Sequence, residues 1–235
     1  MDDLSHWGLA IAGGILPALA WLWYWLKEDS RHPEPRRLIA LAFLAGMLTV
    51  IIVIPLQKAV APLFATQTLL FVAWSTIEEF TKYAVAWFTV LHRRENDEPI
   101  DAVMYMVIVA LGFAALENAL FLLSPLSGDT VVQTVMTGNL RFIGATLLHV
   151  FSSAVIGIAL AYSFYKPAMT RQFYAAVGVI LAALLHSLFN FLILNTAQEH
   201  LLRTFAGVWL GVIVVLAALE FVKRMRPRSQ RRIVY

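Results

Sequence analysis

The sequence predicts an all-α polytopic membrane protein, a transmembrane helical bundle of about seven spans. Two observations support this fold class. Of the 235 residues, 60% are hydrophobic and 14% are charged, whereas a soluble domain carries roughly 45–50% apolar and about 25% charged residues. The apolar residues also fall in blocks of about 20 or more, the length that crosses a bilayer core roughly 30 Å thick. These two features exclude an ordinary soluble domain.

Seven apolar blocks define the expected spans, with boundaries set to within about 2–4 residues. The blocks are Trp7–Leu26, Leu38–Leu56, Pro62–Leu91, Ala102–Leu123, Leu140–Tyr165, Phe173–Leu194 and Leu201–Phe221. The third block is too long for one simple span, so we expect a surface or re-entrant turn before Thr68. We interpret residues 1–222 as one transmembrane helical domain and residues 223–235 as a basic cytoplasmic tail.

The basic residues predict the orientation of the chain in the membrane. Fourteen lie in the first, third and fifth loops and the C-terminal tail, against two, Lys58 and Arg203, on the opposite side. Because Lys- and Arg-rich loops are retained in the cytoplasm, we expect the N-terminus outside and the C-terminus in the cytoplasm. The pI near 9.3 then reflects topology, and we expect no nucleic-acid partner.

The basic tail can contact the anionic head groups of membrane lipids. The alternative is a stop-transfer anchor with no specific ligand, which the orientation rule alone favours.

Several ionisable or strongly polar residues fall inside the spans, where a charge costs at least about 2.5–3.5 kcal/mol and usually has a function. They are Glu78, Glu79 and Lys82 in the third span, Glu117 in the fourth, Arg141 and His149 in the fifth, and His186 and Asn190 in the sixth. At a helical rise of about 1.5 Å per residue, the glutamates and histidines of these four spans lie about 9–15 Å from the external ends. A site between the helices of a bundle requires such a shared depth.

The spacing within the third span indicates acid–base chemistry. Glu78 and Lys82 stand at i and i+4 on one helical face, so Lys82 can keep one of two adjacent carboxylates charged. Counted with neutral imidazoles, three acidic groups face two basic ones, which leaves a deficit of one positive charge. A bound divalent cation would reverse that deficit.

The two histidines indicate a metal, and because the chain has no cysteine the ligands must be His, Asp or Glu. With one or two glutamates they complete a three-ligand set like that of catalytic zinc, and a nearby glutamate can accept the proton of the attacking water. Asn190, one turn after His186, can donate to the oxyanion of a tetrahedral intermediate. We therefore expect catalytic roles for Glu78, Glu79 and Asn190, supporting roles for Lys82 and Arg141, and metal ligation by Glu117, His149 and His186.

Each feature also has a simpler explanation. A single transmembrane histidine is often a helix–helix hydrogen-bond donor, and the Glu78–Lys82 pair can be a structural ion pair. Arg141 is expected to be a snorkelling anchor or a partner of Glu117. Ser152 and Ser153 follow His149 closely, but serines on apolar helices commonly bond back to helix carbonyls. The combination of the motifs favours a site over these separate explanations.

Four short motifs resemble those of the PrsW family of intramembrane proteases, which is related to the CAAX prenyl endopeptidases and the APH-1-like proteins. Residues Glu78–Lys82 match Glu-Glu-x-x-Lys, and Phe113–Glu117 match Phe-x-x-x-Glu. The segments Arg141–His149 and His186–Asn190 resemble the two histidine motifs of the family. The motifs follow one another in order from the third span through the sixth.

The resemblance implies a metal-dependent or glutamate-dependent protease in the cell membrane of a bacterium or archaeon. It implies a first, extracytoplasmic-side cut in a single-pass membrane substrate, namely an anti-sigma factor. Glu117 replaces the histidine of the prenyl endopeptidases, which argues against prenyl-protein cleavage, and Asn190 stands where an aspartate is the alternative. Which glutamate is the ligand and which is the base stays open.

Two other function classes compete with a protease. Clusters of Glu and His in spans also serve as proton relays in transporters and channels, although no inverted repeat is evident in the sequence. The APH-1-like relatives suggest instead a non-catalytic assembly scaffold. Cleavage of a single-pass peptide by the purified protein would separate the protease from both.

Overall fold

A computed structural model describes residues 3–28, 33–123, 131–195 and 201–225, and these ranges are helical with no strand. The α-helices are α1 (Asp3–Glu28), α2 (Arg36–Val60), α3 (Gln67–Ala86), α4 (Pro99–Leu123), α5 (Val131–Ser163), α6 (Ala168–Asn195) and α7 (Leu201–Val222). A short 3₁₀ turn, Ala61–Leu63, follows α2, and a π-helical turn, Trp87–Leu91, follows α3. The predicted all-α class is therefore confirmed.

Four helical stretches in the described ranges are long and apolar enough to cross a membrane: Arg36–Leu63, Pro99–Leu123, Gly144–Ser163 and Ala168–Leu192. The helix α3 is less apolar because it carries three charged residues, Glu78, Glu79 and Lys82. The number of seven spans and the orientation of the termini stay predictions. The tail beyond Met225 lies outside the described residues, so its contact with lipid also stays a prediction.

The break between α2 and α3 falls where the sequence indicated a turn. After the 3₁₀ turn, Thr66 adopts extended backbone and its side chain accepts a hydrogen bond from the N–H of Leu69, which caps the start of α3. Such a cap satisfies one of the free N–H groups at a helix start. The predicted third span, Pro62–Leu91, thus consists of this turn, α3 and the π turn.

The helix α4 is the centre of the bundle and packs against α1, α2 and α5. Residues Pro99–Ala115 are buried without interruption, because this helix is hydrophobic on every face. A helix of that kind belongs in the interior of a large bundle. Further out, α3 lies against α2 and α6, and α5 packs against α6 and α7.

Glycines allow α4 to lie in direct backbone contact with α2. A Cβ atom placed on Gly112 would lie 2.0 Å from the carbonyl oxygen of Phe43, and one on Gly46 would lie 2.0 Å from that of Val109. Only residues without a side chain permit so close a crossing, as in membrane helix pairs generally. Gly157 on α5 meets the backbone of α4 at Val103 in the same way.

The outer faces of the peripheral helices carry rows of exposed apolar side chains. On α2 these include Leu44, Leu48 and Ile51, and on α6 they include Ile180, Leu184 and Leu188. The spacing of three or four residues places each row on one helical face. Exposed apolar stripes of this extent mark a surface that water does not cover. Together with the spans, they show a multi-pass membrane protein.

Polar contacts join the first and third loops, both predicted to be cytoplasmic, at one end of the bundle. Arg37 at the start of α2 donates to Glu95 at 2.9 Å. Tyr105 on α4 donates to the buried carboxylate of Glu34. Asp101 accepts from the N–H groups of residues 97 and 98. Both loops therefore lie on the same side of the bundle, as an alternating topology requires.

Candidate functional site

Four helices bring the glutamates and histidines of the sequence motifs into one buried cluster. Glu78, Glu79 and Lys82 come from α3, and His149 and His186 come from α5 and α6. All five side chains are buried. Glu117 on α4 borders the cluster with its side chain 30% exposed. We call these six residues the Glu–His cluster.

Glu79 is the most completely bonded residue of the cluster. Its Oε1 atom accepts from Lys82 Nζ and from His186 Nδ1, both at 2.8 Å. Its Oε2 atom accepts from the Ser153 hydroxyl at 3.1 Å. Ser152 Oγ lies 3.0 Å from Glu79 Oε1 and 2.8 Å from the Leu148 carbonyl, so its single proton serves one of them at a time. A carboxylate held on both oxygens is suited to positioning other groups.

Glu78 has the opposite character, although it is the next residue in the chain. Its Oε1 atom accepts from Gln57 Nε2 on α2 at 2.8 Å. Its Oε2 atom is buried and has no hydrogen-bond partner. That oxygen lies 3.7 Å from His186 Nε2 and 3.9 Å from both His149 Nδ1 and Lys82 Nζ, so the predicted Glu78–Lys82 ion pair is present but too long for a hydrogen bond. A buried carboxylate oxygen without a partner is costly, so its orientation towards two imidazoles calls for a ligand.

Each histidine is oriented by a carboxylate. His149 Nε2 lies 2.8 Å from Glu117 Oε2, and His186 Nδ1 lies 2.8 Å from Glu79 Oε1. Because an ionised carboxylate only accepts hydrogen bonds, these two ring nitrogens carry the protons in the neutral imidazoles. The remaining nitrogens carry lone pairs: that of His149 Nδ1 accepts from Lys82 Nζ, and His186 Nε2 lies 3.7 Å from Glu78 Oε2.

Aromatic packing and Lys82 fix the positions of these rings. The His149 and His186 ring centroids lie 5.0 Å apart in an edge-on arrangement, and Phe113 meets His149 edge-on at 4.9 Å. Lys82 Nζ lies 2.9 Å from His149 Nδ1 and 4.3 Å from the centre of the Phe113 ring. The phenylalanine of the fourth-span motif thus forms one wall of the site.

One ligand atom each from Glu78, His149 and His186 lies within 4.8 Å of the other two. In a tetrahedral zinc site with bonds of about 2.0–2.2 Å, neighbouring ligand atoms are about 3.3–3.5 Å apart. The observed 3.7 and 3.9 Å separations from Glu78 Oε2 approach that spacing. These three residues can hold a metal ion.

The structure describes the side chains of Asn190 and Glu117, but not that of Arg141. Asn190 lies on α6, one turn after His186, and is half-buried. Arg141 falls in α5, but its side chain lies outside the described residues. The geometry sets Glu117 beside His149 instead of among the three converging ligand atoms. The geometry favours Glu78 over Glu117 as the third ligand, and the roles of both residues stay predictions.

Gln57 had no signal in the sequence, and Ser152 and Ser153 were given no role at the site. Gln57 lies near the end of α2, in a span without an ionisable residue at the shared depth. Ser152 and Ser153 were expected to bond back to helix carbonyls. Ser152 does so while also approaching Glu79, whereas the Ser153 hydroxyl donates to Glu79 Oε2 instead. The serines lie three and four residues after His149, on the same helical face, and that spacing could have identified them.

The fold and the cluster together define a class: a polytopic membrane protein whose acid–base and metal-binding groups lie buried between its helices. Residues 34–219 match the PrsW family intramembrane metalloprotease model, and the chain belongs to this family. It is therefore an intramembrane protease, not a transporter or a non-catalytic scaffold. The family that the sequence motifs resemble is thereby confirmed.

Several relatives carry the name Protease PrsW. The protein of Geobacillus kaustophilus (strain HTA426) is 30% identical over 225 residues, which cover 92% of each chain. That of Oceanobacillus iheyensis is 30% identical over 212 residues, 87% of this chain and 92% of the relative. That of Bacillus subtilis (strain 168) is 24% identical over 186 residues, 78% of this chain and 82% of the relative. No solved structure matches the chain.

Proposed function

We propose that the protein hydrolyses peptide bonds of membrane-anchored proteins at a divalent metal, zinc, held by Glu78, His149 and His186. The observation that carries the proposal is the buried Oε2 atom of Glu78, which has no hydrogen-bond partner and lies 3.7 Å from His186 Nε2 and 3.9 Å from His149 Nδ1. Two nitrogens and one oxygen form the donor set of many catalytic zinc sites, which keep a further position open.

The surroundings of the three ligands support this assignment. A metal-ligating histidine usually donates its other ring N–H to a carboxylate, and Glu117 and Glu79 provide that partner for His149 and His186. Lys82 now donates to His149 Nδ1, so ligation by that nitrogen would replace this hydrogen bond. Lys82 would keep its ion pair with Glu79.

A metal bound there supplies Lewis acidity, which activates water as a nucleophile near neutral pH. Glu117 is the most exposed carboxylate of the cluster, and we assign it the role of proton acceptor. Asn190, half-buried one turn after His186, is suited to donate its amide hydrogen to the developing oxyanion. Glu79 and Lys82 hold His186 in place.

The burial of the cluster between helices and the family support a proposal for the substrate class. A peptide bond must reach a site buried between membrane helices, and a substrate helix must unwind locally before it can be hydrolysed. We propose a single-pass membrane protein as substrate, cut near the extracytoplasmic end of its span. An anti-sigma factor, cleaved first at this site, is the substrate that the family resemblance suggests.

Cleavage by the purified full chain in detergent tests this function. A single-pass membrane peptide is expected to be cut by the wild type, and mass spectrometry of the products locates the scissile bond. Removal of metal with a chelator should stop cleavage, and added zinc should restore it. Cleavage that persists without metal would contradict the metal site, and a cut at the cytoplasmic end would contradict the proposed position.

A further inference from the structure

Gln57 contacts the Glu–His cluster from α2, a helix that contributes none of the four motifs. Its side-chain amide donates to Glu78 Oε1 at 2.8 Å. Its backbone carbonyl oxygen accepts from Trp74 Nε1 on α3 at 3.2 Å and from the N–H of Ala61. Gln57 is thus tied to α3 on both sides, by its side chain to Glu78 and by its backbone to Trp74.

The contact distinguishes the two oxygens of Glu78. Gln57 holds Oε1, whereas Oε2 has no hydrogen-bond partner and faces the two histidines. A free carboxylate can rotate and present either oxygen, or both, to a cation. A hydrogen bond from a fixed amide to one oxygen removes that freedom, because turning the carboxylate would break the bond.

We propose that Gln57 is a positioning residue that presents Oε2 of Glu78 to the metal as a single-oxygen ligand. This role rests on the metal site proposed above. Outer partners of metal ligands fix ligand orientation, and their loss typically weakens metal binding by about 10–100-fold. The Gln57 amide is the partner that Glu78 needs, as Glu79 is for His186 and Glu117 is for His149.

Zinc binding by the full chain, purified in detergent and stripped of metal, tests the role of Gln57. Gln57→Leu removes the donor and is expected to weaken zinc affinity by about 10–100-fold, measured by competition with a chromophoric chelator. The matched control is Gln67→Leu, on an exposed glutamine of α3, which should keep the wild-type affinity. Should Gln57→Leu fail to fold, Gln57→Met removes the same donor with a more flexible side chain.

The visible absorption spectrum of bound cobalt reports on its ligands, so it would not change if Gln57 only stabilised the fold. Without Gln57 both oxygens of Glu78 can approach the ion, so the visible absorption of the cobalt-loaded protein should change in Gln57→Leu and stay unchanged in Gln67→Leu. An affinity within twofold of the wild type together with an unchanged cobalt spectrum would overturn the role of Gln57 alone. A wild type that binds neither zinc nor cobalt would overturn the metal site and, with it, this inference.

Discussion

Glu78 and Glu79 are neighbours in the chain, yet α3 places them in different surroundings. Glu79 is bonded on both oxygens to Lys82, His186 and Ser153, whereas Glu78 has one oxygen without a hydrogen-bond partner. Adjacent residues on a helix point about 100° apart, so they meet different neighbours. At the scale of single residues, these surroundings suit Glu78 to the proposed role of metal ligand and Glu79 to that of a support for His186.

The first residue-scale prediction separates the ligand from the proton acceptor. Glu78→Gln should weaken zinc binding by at least the roughly 10–100-fold that loss of an outer partner costs, because it removes a charged ligand. Glu117→Gln should keep most of the zinc, because the amide oxygen can still accept from His149 Nε2, but it should lower kcat by about 10²-fold or more, because it removes the general base. Zinc titration and cleavage kinetics on both variants measure this. Full zinc affinity in Glu78→Gln would show that Glu78 is not a ligand.

The second residue-scale prediction concerns the buried Lys82–Glu79 ion pair, whose side chains are 0% exposed. Lys82→Met leaves the Glu79 carboxylate buried without its cation and should destabilise the protein by about 3–5 kcal/mol. Adding Glu79→Gln to that variant should recover part of the loss, since the unpaired charge is removed. Unfolding in detergent measures both.

The surface pair Arg37–Glu95 provides the matched control, because the Arg37 side chain is largely exposed. Arg37→Ala should change stability little, since solvent screens an exposed ion pair. A Lys82→Met variant as stable as Arg37→Ala would mean that the buried pair does not stabilise the fold.

At the scale of elements, the crossing of α2 and α4 depends on glycine. Gly112→Leu would force a side chain into the Phe43 carbonyl oxygen, which a Cβ alone would meet at 2.0 Å. We expect a loss of at least about 1–3 kcal/mol, the usual cost of overpacking, because here the neighbour is backbone and cannot rotate away. Thermal unfolding in detergent is the measurement.

Gly211 on α7 is the control for that substitution, since a Cβ there meets nothing within 4 Å. Gly211→Leu should leave the unfolding temperature close to that of the wild type. Equal effects at Gly112 and Gly211 would show that the α2–α4 crossing is not as close as the structure has it.

The helices and the gathering of the Glu–His cluster could be predicted because both depend on local signals. The length of the apolar blocks predicts the helices. The helical rise per residue predicts a common depth for Glu78, Glu117, His149 and His186. The partners of the glutamates could not be predicted in this way. Spacing shows which residues share one helical face, but not which helices touch, so nothing in the sequence placed Gln57 beside Glu78.

For the same reason, the sequence did not indicate which of Glu78 and Glu79 is suited to bind a metal and which to support a histidine. It depends on which oxygen of each glutamate is already bonded, and the donors come from α2, α5 and α6. The position of the α2–α3 break was easier to predict, because an overlong apolar block must turn somewhere.

At the scale of the whole molecule, the orientation in the membrane can be tested directly because the chain has no cysteine. Ala65→Cys lies in the connection between α2 and α3, and Asp97→Cys lies in the connection between α3 and α4; both positions are exposed. An impermeant maleimide on intact cells should label the first and not the second, as the basic loops predict. Labelling of Asp97→Cys alone would show that the topology is inverted.

Metal content tests the central claim most directly. Elemental analysis of the purified wild type should find about one zinc per chain, since the three converging ligand atoms define one site. The double variant His149→Ala/His186→Ala removes two of the three ligands and should contain none, while a circular dichroism spectrum matching the wild type shows that it is folded. Equal zinc in the wild type and in the folded double variant would contradict the assignment of Glu78, His149 and His186 as the metal site.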